Sequence, residues 1–158
     1  NVYVISRSAN GQLETTNEVV KQNIKTYISS KKMINDSVDL LDAKIVNLGI
    51  TFEVIAATGA SKTAVLSRAV AALGAYFSGL FEIGEDFAIT DMYTVLNSIT
   101  GVVDTTSVKV SQKTGVGYST IYFNVKNRTT TDGRFLKAPK NAIFEVKFPN
   151  SDIQGTIK

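Results

Sequence analysis

The chain has 158 residues, 44% of them apolar, and its 17 Lys and Arg against 14 Asp and Glu leave a net charge of +3. At this length folding removes roughly 68–70% of the unfolded chain's surface from water, enough for a globular domain with no disulfide or metal to hold it. The absence of Cys and His excludes an ordinary zinc site, a Ser-His-Asp triad, a Cys nucleophile and imidazole acid/base chemistry, so neither an enzyme nor a metal or cofactor site is expected.

Val2 to Ser6 is a β-branched and aromatic run closed by Asn10-Gly11, which predicts a strand and a turn, and its lack of alternation predicts a central strand. No leader pattern precedes it, and the chain reads as a piece of a longer protein. Thr15-Thr16-Asn17-Glu18 fits a capping box, with Val20, Ile24, Tyr27 and Ile28 on one face of the helix it opens. After Asn35-Asp36 the period becomes two. Leu41, Ala43 and Ile45 oppose Asp42 and Lys44, Asn47-Leu48-Gly49 supplies a turn, and Ile50, Phe52 and Val54 resume the alternation, which predicts a hairpin.

Ser61 is an N-cap for a helix over 62–80. Its Ala64 to Phe81 stretch is the most apolar window, yet Ser67, Arg68 and Ser78 interrupt it, so it predicts a buried helix and no membrane span. The helix carries two apolar stripes: Leu66, Val70, Leu73, Phe77 and Leu80, and beside them Val65, Ala69, Ala72 and Tyr76. Covering a sheet takes one stripe. The second lies either beneath later elements of this chain or against another subunit, which makes Val65, Ala69, Ala72 and Tyr76 candidate interface residues. Gly84 breaks the chain, Thr90 caps a shorter helix with Met92, Val95, Leu96 and Ile99, and Gly101 stops it before the strand region Val102 to Val110. Gly84 and Gly101 are the candidate structural turns.

Strand, helix, two strands, helix and strand in this order predict an α+β fold with a ferredoxin-like, split βαβ core over 1–111. Beyond Ser111 helical periodicity stops. Ile121, Phe123 and Val125, then Ala142, Phe144, Val146 and Phe148, alternate, and Asp132-Gly133 is a hairpin-turn signal. Residues 112–158 are expected to form an antiparallel β-rich extension, packed on or projecting from the core.

Few motifs carry chemistry. Gly59-Ala60-Ser61-Lys62-Thr63 sits where a phosphate loop would, but Ser61 and Ala56 occupy the two positions that need Gly, so it reads as a turn and helix cap. Glu82, Glu85, Asp86 and Asp91 lack the alternation of a calcium loop. Tyr122 and Phe123 fall on opposite sides of a strand and make no stacking platform with Lys126 and Arg128. Lys31-Lys32 is the longest basic run, too short for a nucleic-acid patch.

Met33-Ile34-Asn35-Asp36-Ser37-Val38-Asp39-Leu40-Leu41-Asp42-Ala43-Lys44-Ile45-Val46-Asn47-Leu48-Gly49-Ile50, the long helix, Ile83-Gly84-Glu85, Ile89-Thr90-Asp91-Met92-Tyr93 and Gly101-Val102-Val103-Asp104 follow one another in an order that resembles the baseplate J-like family, and within it the C-terminal part of a baseplate wedge subunit of contractile-tailed phages. The likeness spans about 33–111 and continues more loosely through Phe135 and Pro139-Lys140. It implies a structural, non-enzymatic component of the virion's tail baseplate, assembled in the host cytoplasm. Its partners would be copies of itself, as a homodimer or higher homo-oligomer, and other wedge proteins, with no nucleic acid, membrane or small-molecule substrate. Strand edges of the tail would extend a neighbour's sheet. A second reading stays open: a carbohydrate- or ligand-binding module using the 112–135 loops, marked by a concave site lined by Tyr118 or Tyr122.

Overall fold

The computed structural model describes residues 1–31, 37–79 and 81–158. The fold is α+β, as the sequence implies, and one long strand organises it. β1 (Val2–Val4), β2 (Ser6–Arg7), β3 (Leu13–Glu14), α1 (Glu18–Ser29) and β4 (Leu40–Asp42) lead into β5 (Lys44–Ala56). α2 (Lys62–Phe77), β6 (Phe87–Ala88), α3 (Ile89–Asn97) and β7 (Val102–Gln112) follow. The chain ends with α4 (Val125–Arg128), β8 (Phe135–Leu136), β9 (Ala142–Glu145), α5 (Pro149–Asp152) and β10 (Ile153–Ile157).

β5 replaces the expected hairpin. Asn47-Leu48-Gly49 does not turn, because Asn47 and Gly49 are covered by the chain that follows β7 and Leu48 belongs to the core. One edge of β5 pairs antiparallel with β7, from Leu48 opposite Gln112 to Ala56 opposite Val102. Along the other edge run β9, paired with Lys44 to Asn47, and then β10, paired with Ile50 to Val54, both parallel to β5. Both lie on that edge because Lys44 N donates to Asn141 O and Val54 O accepts from Lys158 N, whereas Asn47 O faces the other way and accepts from Lys113 N.

Three expectations change accordingly. The ferredoxin-like order is absent: β1 pairs in parallel with β4 and leaves the central sheet to others. β1 is half-exposed rather than central: β4 is its one strand partner among the described residues, with Val2 exposed and Tyr3 and Val4 half-buried. The 112–158 segment adds β9 and β10 to the central sheet in parallel with β5 and only the short β8 antiparallel, to β6, instead of an antiparallel extension, and its Ile121 to Val125 run is no strand, ending instead in α4, capped by Asn124.

Even-numbered residues of β5 (Val46, Leu48, Ile50, Phe52, Val54) point into the core, where α2 meets them with Val65, Ala69, Leu73 and Phe77. α3 adds Met92 and Leu96, both with no exposed surface. A chain of rings extends the core, Phe77 stacked on Phe87 at 5.4 Å, then Phe144 and Phe123. The expected α2 stripes are two flanks of one broad face, with Leu66 and Val70 on one side and Ala72 and Tyr76 on the other. Leu80, the expected end of that helix, and Lys32 to Asp36, where the family resemblance begins, lie outside the described residues.

Candidate functional site

The interface stripe expected on α2 divides between core and surface. Val65 is 1% and Ala69 0% exposed, within the chain's own core and out of a partner's reach. Ala72 and Tyr76 are half-buried. The Tyr76 hydroxyl donates to Asp91 Oδ2 at 3.2 Å, so this flank leans on α3. Burial pushes the Tyr76 phenol up to about 12, and the Asp91 carboxylate adds to the shift.

Gly84 and Gly101 both adopt positive φ, +81° and +97°. Gly84 N donates to Ala142 O at 2.7 Å, tying the turn to β9. Gly101 follows α3, and a Cβ there would lie 2.9 Å from Val65 Cγ2.

The motifs with chemical overtones serve the fold. Ser61 Oγ accepts from Ala64 N and caps α2, while Lys62 is exposed. Asp86 accepts from Lys137 Nζ at 2.6 Å and Ala138 N at 2.9 Å, and these bonds, the lysine's foremost, hold its carboxyl below the usual range. Glu85 Oε2 accepts from Glu82 N. Among the described residues no three His, Cys, Asp or Glu side chains converge to hold a metal ion, and no helix is long and apolar enough to cross a membrane.

A concave site does exist beside Tyr118. This cleft of about 510 Å³ has Leu13 to Thr15 on one wall, Tyr118 to Ile121 on the other, and Asn47 and Glu145 between them. The sequence pattern marks Asn47 as a turn residue and does not single out Glu145, although an Asn inside a run of core residues is a signal that a buried polar partner waits elsewhere. Asn47, 1% exposed, donates from Nδ2 to Glu145 Oε2 at 2.8 Å and accepts from Ser119 N at 2.7 Å. Glu145 Oε1 accepts from Leu13 N at 2.6 Å. The polar groups of the cleft therefore converge on one another. The Tyr118 hydroxyl also turns inward, donating to Asp152 Oδ1 at 2.5 Å, and this bond raises the phenol's pKa, with burial adding to it. Asp152 is 1% exposed, accepts from Phe148 N at 2.9 Å, and has Lys113 Nζ 4.0 Å away. Tyr122, the other expected lining residue, is 81% exposed and outside the cleft, whereas Phe123 is in the core.

Three exposed large apolar residues fall on α1. Asn17 caps it, accepting from Val19 N at 2.8 Å, in place of the expected Thr15; Thr16 is buried and accepts from Ser6 Oγ instead. No residue of α1 is buried. Val19 is 67%, Val20 45% and Tyr27 68% exposed. Lys21 fastens the helix to the body, 2.7 Å from Asp42 and 2.8 Å from Glu18.

The chain matches no protein-family model, and a search of curated proteins finds no match for it.

Proposed function

We propose that this chain is an assembly component of the kind its baseplate J-like resemblance implies, part of a wedge subunit in the tail baseplate of a contractile phage. It acts by contact with copies of itself and with other wedge proteins, and carries out no chemistry. The observation that carries this reading is α1. A 12-residue helix is marginal in water and owes its stability to the apolar face it buries. Among the described residues α1 half-buries Lys21, Ile24 and Ile28 and fully buries none, while Val19, Val20 and Tyr27 stand toward water. Another polypeptide supplies the missing cover. The pairing of the buried polar groups with one another also supports a scaffold, since none of Asn47, Glu145 or Asp152 is left aimed at a substrate.

Sedimentation over a wide concentration range, alone and mixed with other wedge subunits, tests this. Replacing Val20 and Tyr27 together by Ser is expected to weaken the association at least about tenfold, because an exposed aromatic anchor is the residue type that dominates such contacts. A chain that stays monomeric at high concentration and binds no wedge protein sinks the reading.

A ligand-binding module has the cleft beside Tyr118 in its favour and the internal pairing of its polar groups against it. Titration with mono- and oligosaccharides that shifted the Ser119 and Thr120 amide resonances would bring that reading forward.

A further inference from the structure

The central sheet ends in β7 on one side of β5 and in β9 and β10 on the other, and the edges of β7 and β10 are finished differently. β7 is hindered from further pairing by bulges and by bonds to its own neighbours. Thr106 and Val103 are extra residues opposite Glu53/Val54 and Ile55/Ala56 and bulge the strand. Val108 N donates to the Tyr93 hydroxyl at 3.0 Å, and Thr105 N to Asp104 Oδ1 at 2.8 Å. The Gln112 side chain holds both Ile121 O and Phe123 N. These are the devices that keep an edge from recruiting another strand.

β10 has none of them. Its even-numbered residues turn their backbone toward β5, as Lys158 N to Val54 O and Ala56 N to Lys158 O show, so the odd-numbered ones face outward. Ile153 N is taken by Pro149 O. The N–H groups of Gly155 and Ile157 and the carbonyls of Ile153, Gly155 and Ile157 have no partner among the described residues. Ile153–Ile157 contains no proline and no charged side chain, and its pairing with β5 runs without a bulge.

We propose that β10 is a self-pairing edge, at which two copies of this chain join antiparallel about a two-fold axis through Gly155 and continue the central sheet across the contact. This rests on the self-association reading above and adds to α1 a second contact surface, the one between copies. The free groups are palindromic. With Gly155 opposite its counterpart, Gly155 N meets the second copy's Gly155 carbonyl and Ile157 N meets its Ile153 carbonyl, which makes four bonds over the two copies. The one donor already spent, Ile153 N, stands opposite the Ile157 carbonyl, the one acceptor this register leaves over. Side chains match by the same symmetry: Ile153 falls opposite Ile157 on the apolar face, and the exposed Gln154 opposite Thr156 on the polar face. Gly155 puts no side chain at the axis. Half-buried Leu66, which lies against Gly155, flanks the seam from α2. An isologous contact requires a patch that complements itself, and this edge does.

The test combines sedimentation with residue-resolved hydrogen exchange on the whole chain, dilute and concentrated. A dimer is expected whose Gly155 and Ile157 amides exchange at least about tenfold more slowly when concentrated, with Val110 on the β7 edge unchanged. Ile157→Pro removes an outward donor that has no bond within the chain, and is expected to raise the dimer's dissociation constant at least about tenfold. If that variant does not fold, exchange in the unaltered chain decides. A dimer whose Gly155 and Ile157 amides ignore concentration overturns the edge and leaves self-association through another face. A chain that is monomeric throughout overturns both.

Discussion

Gly155 in β10 and Gly49 in β5 lie in neighbouring strands under opposite constraints. A Cβ on Gly155 would overlap the Phe52 ring and come within 2.8 Å of Leu66 Cδ1. Phe52 has no exposed surface and nowhere to move. Gly155→Ala is therefore expected to destabilise by roughly 2–3 kcal/mol, the cost of overpacking a closed core, and to lower the melting temperature by roughly 5–10 °C. A Cβ on Gly49 would overlap only the stem of Lys113, a flexible side chain that is 31% exposed. Gly49→Ala is expected to cost under about 1 kcal/mol, as the stem swings aside and the strand gains from losing glycine's backbone freedom. Thermal melts of the two variants check the pair, and equal losses would show that cover by Lys113 is as rigid as cover by Phe52. Tyr76 carries a different signature. Its phenol ionises near about 12 in the fold, through burial first and Asp91 second, against about 10 in an unfolded chain. A pKa raised on folding contributes stability that is fully present below about pH 10 and is lost as pH rises toward about 12. Urea unfolding at stepped alkaline pH should show Tyr76→Phe losing less stability over that window than the unaltered chain; parallel losses would put the alkaline sensitivity elsewhere.

At the scale of elements, α1 and α2 differ in what sustains them. α2 was legible from its cap and its apolar spacing, which are local facts, although the core takes the row 65, 69, 73, 77, with Val65 and Ala69 from one expected stripe and Leu73 and Phe77 from the other. α1 was legible as a helix, but its apolar face gave no sign that the described residues would half-cover Ile24 and Ile28 and leave Val20 and Tyr27 exposed. The local cap was misplaced for a tertiary reason: Thr16 is drawn inward by Ser6, and Asn17 becomes the first residue free to cap. β5 was misread for a similar one. Asn47 and Gly49 look like turn residues until the chain after β7 and Glu145 in β9 arrive to satisfy and cover them, and those partners lie many residues away. Capping energies make the contrast measurable. Asn17→Ala is expected to cost about 1 kcal/mol in α1 and so to speed exchange of the Glu18–Ser29 amides about fivefold. The cooperative melt should move by less than about 1 °C, since no residue of α1 is buried. A melt lowered by several degrees would mean that α1 unfolds with the core and not ahead of it.

For the whole molecule, the sequence suggested a division at residue 111, where helical periodicity ends, yet the sheet runs across it. β9 and β10 occupy most of one edge of β5, and Phe123, Leu136, Phe144 and Ile153 from beyond the boundary are buried in the same core as Phe52 and Leu73. Parallel pairing of this kind leaves no local trace, because the partners are about 100 residues apart and the connection carries no periodic signal. The boundary residues themselves form a different kind of break. Val116 is fully exposed between Gly115 and Gly117, both at positive φ, the form of an accessible loop tip. Cutting the chain and removing its end should thus have opposite results. Limited proteolysis near Val116 is expected to leave two fragments that co-elute and keep the circular dichroism of the intact chain, because the sheet holds them. Residues 1–111 alone should be unfolded or aggregated, with one edge of β5 open along most of its length and the apolar residues of its inner face wet. Adding 112–158 in trans should restore the fold. A stable, monodisperse 1–111 with dispersed amide resonances would show instead that the α2 and α3 cover of β5 and β7 suffices, and that the C-terminal strands are an addition to a core complete without them.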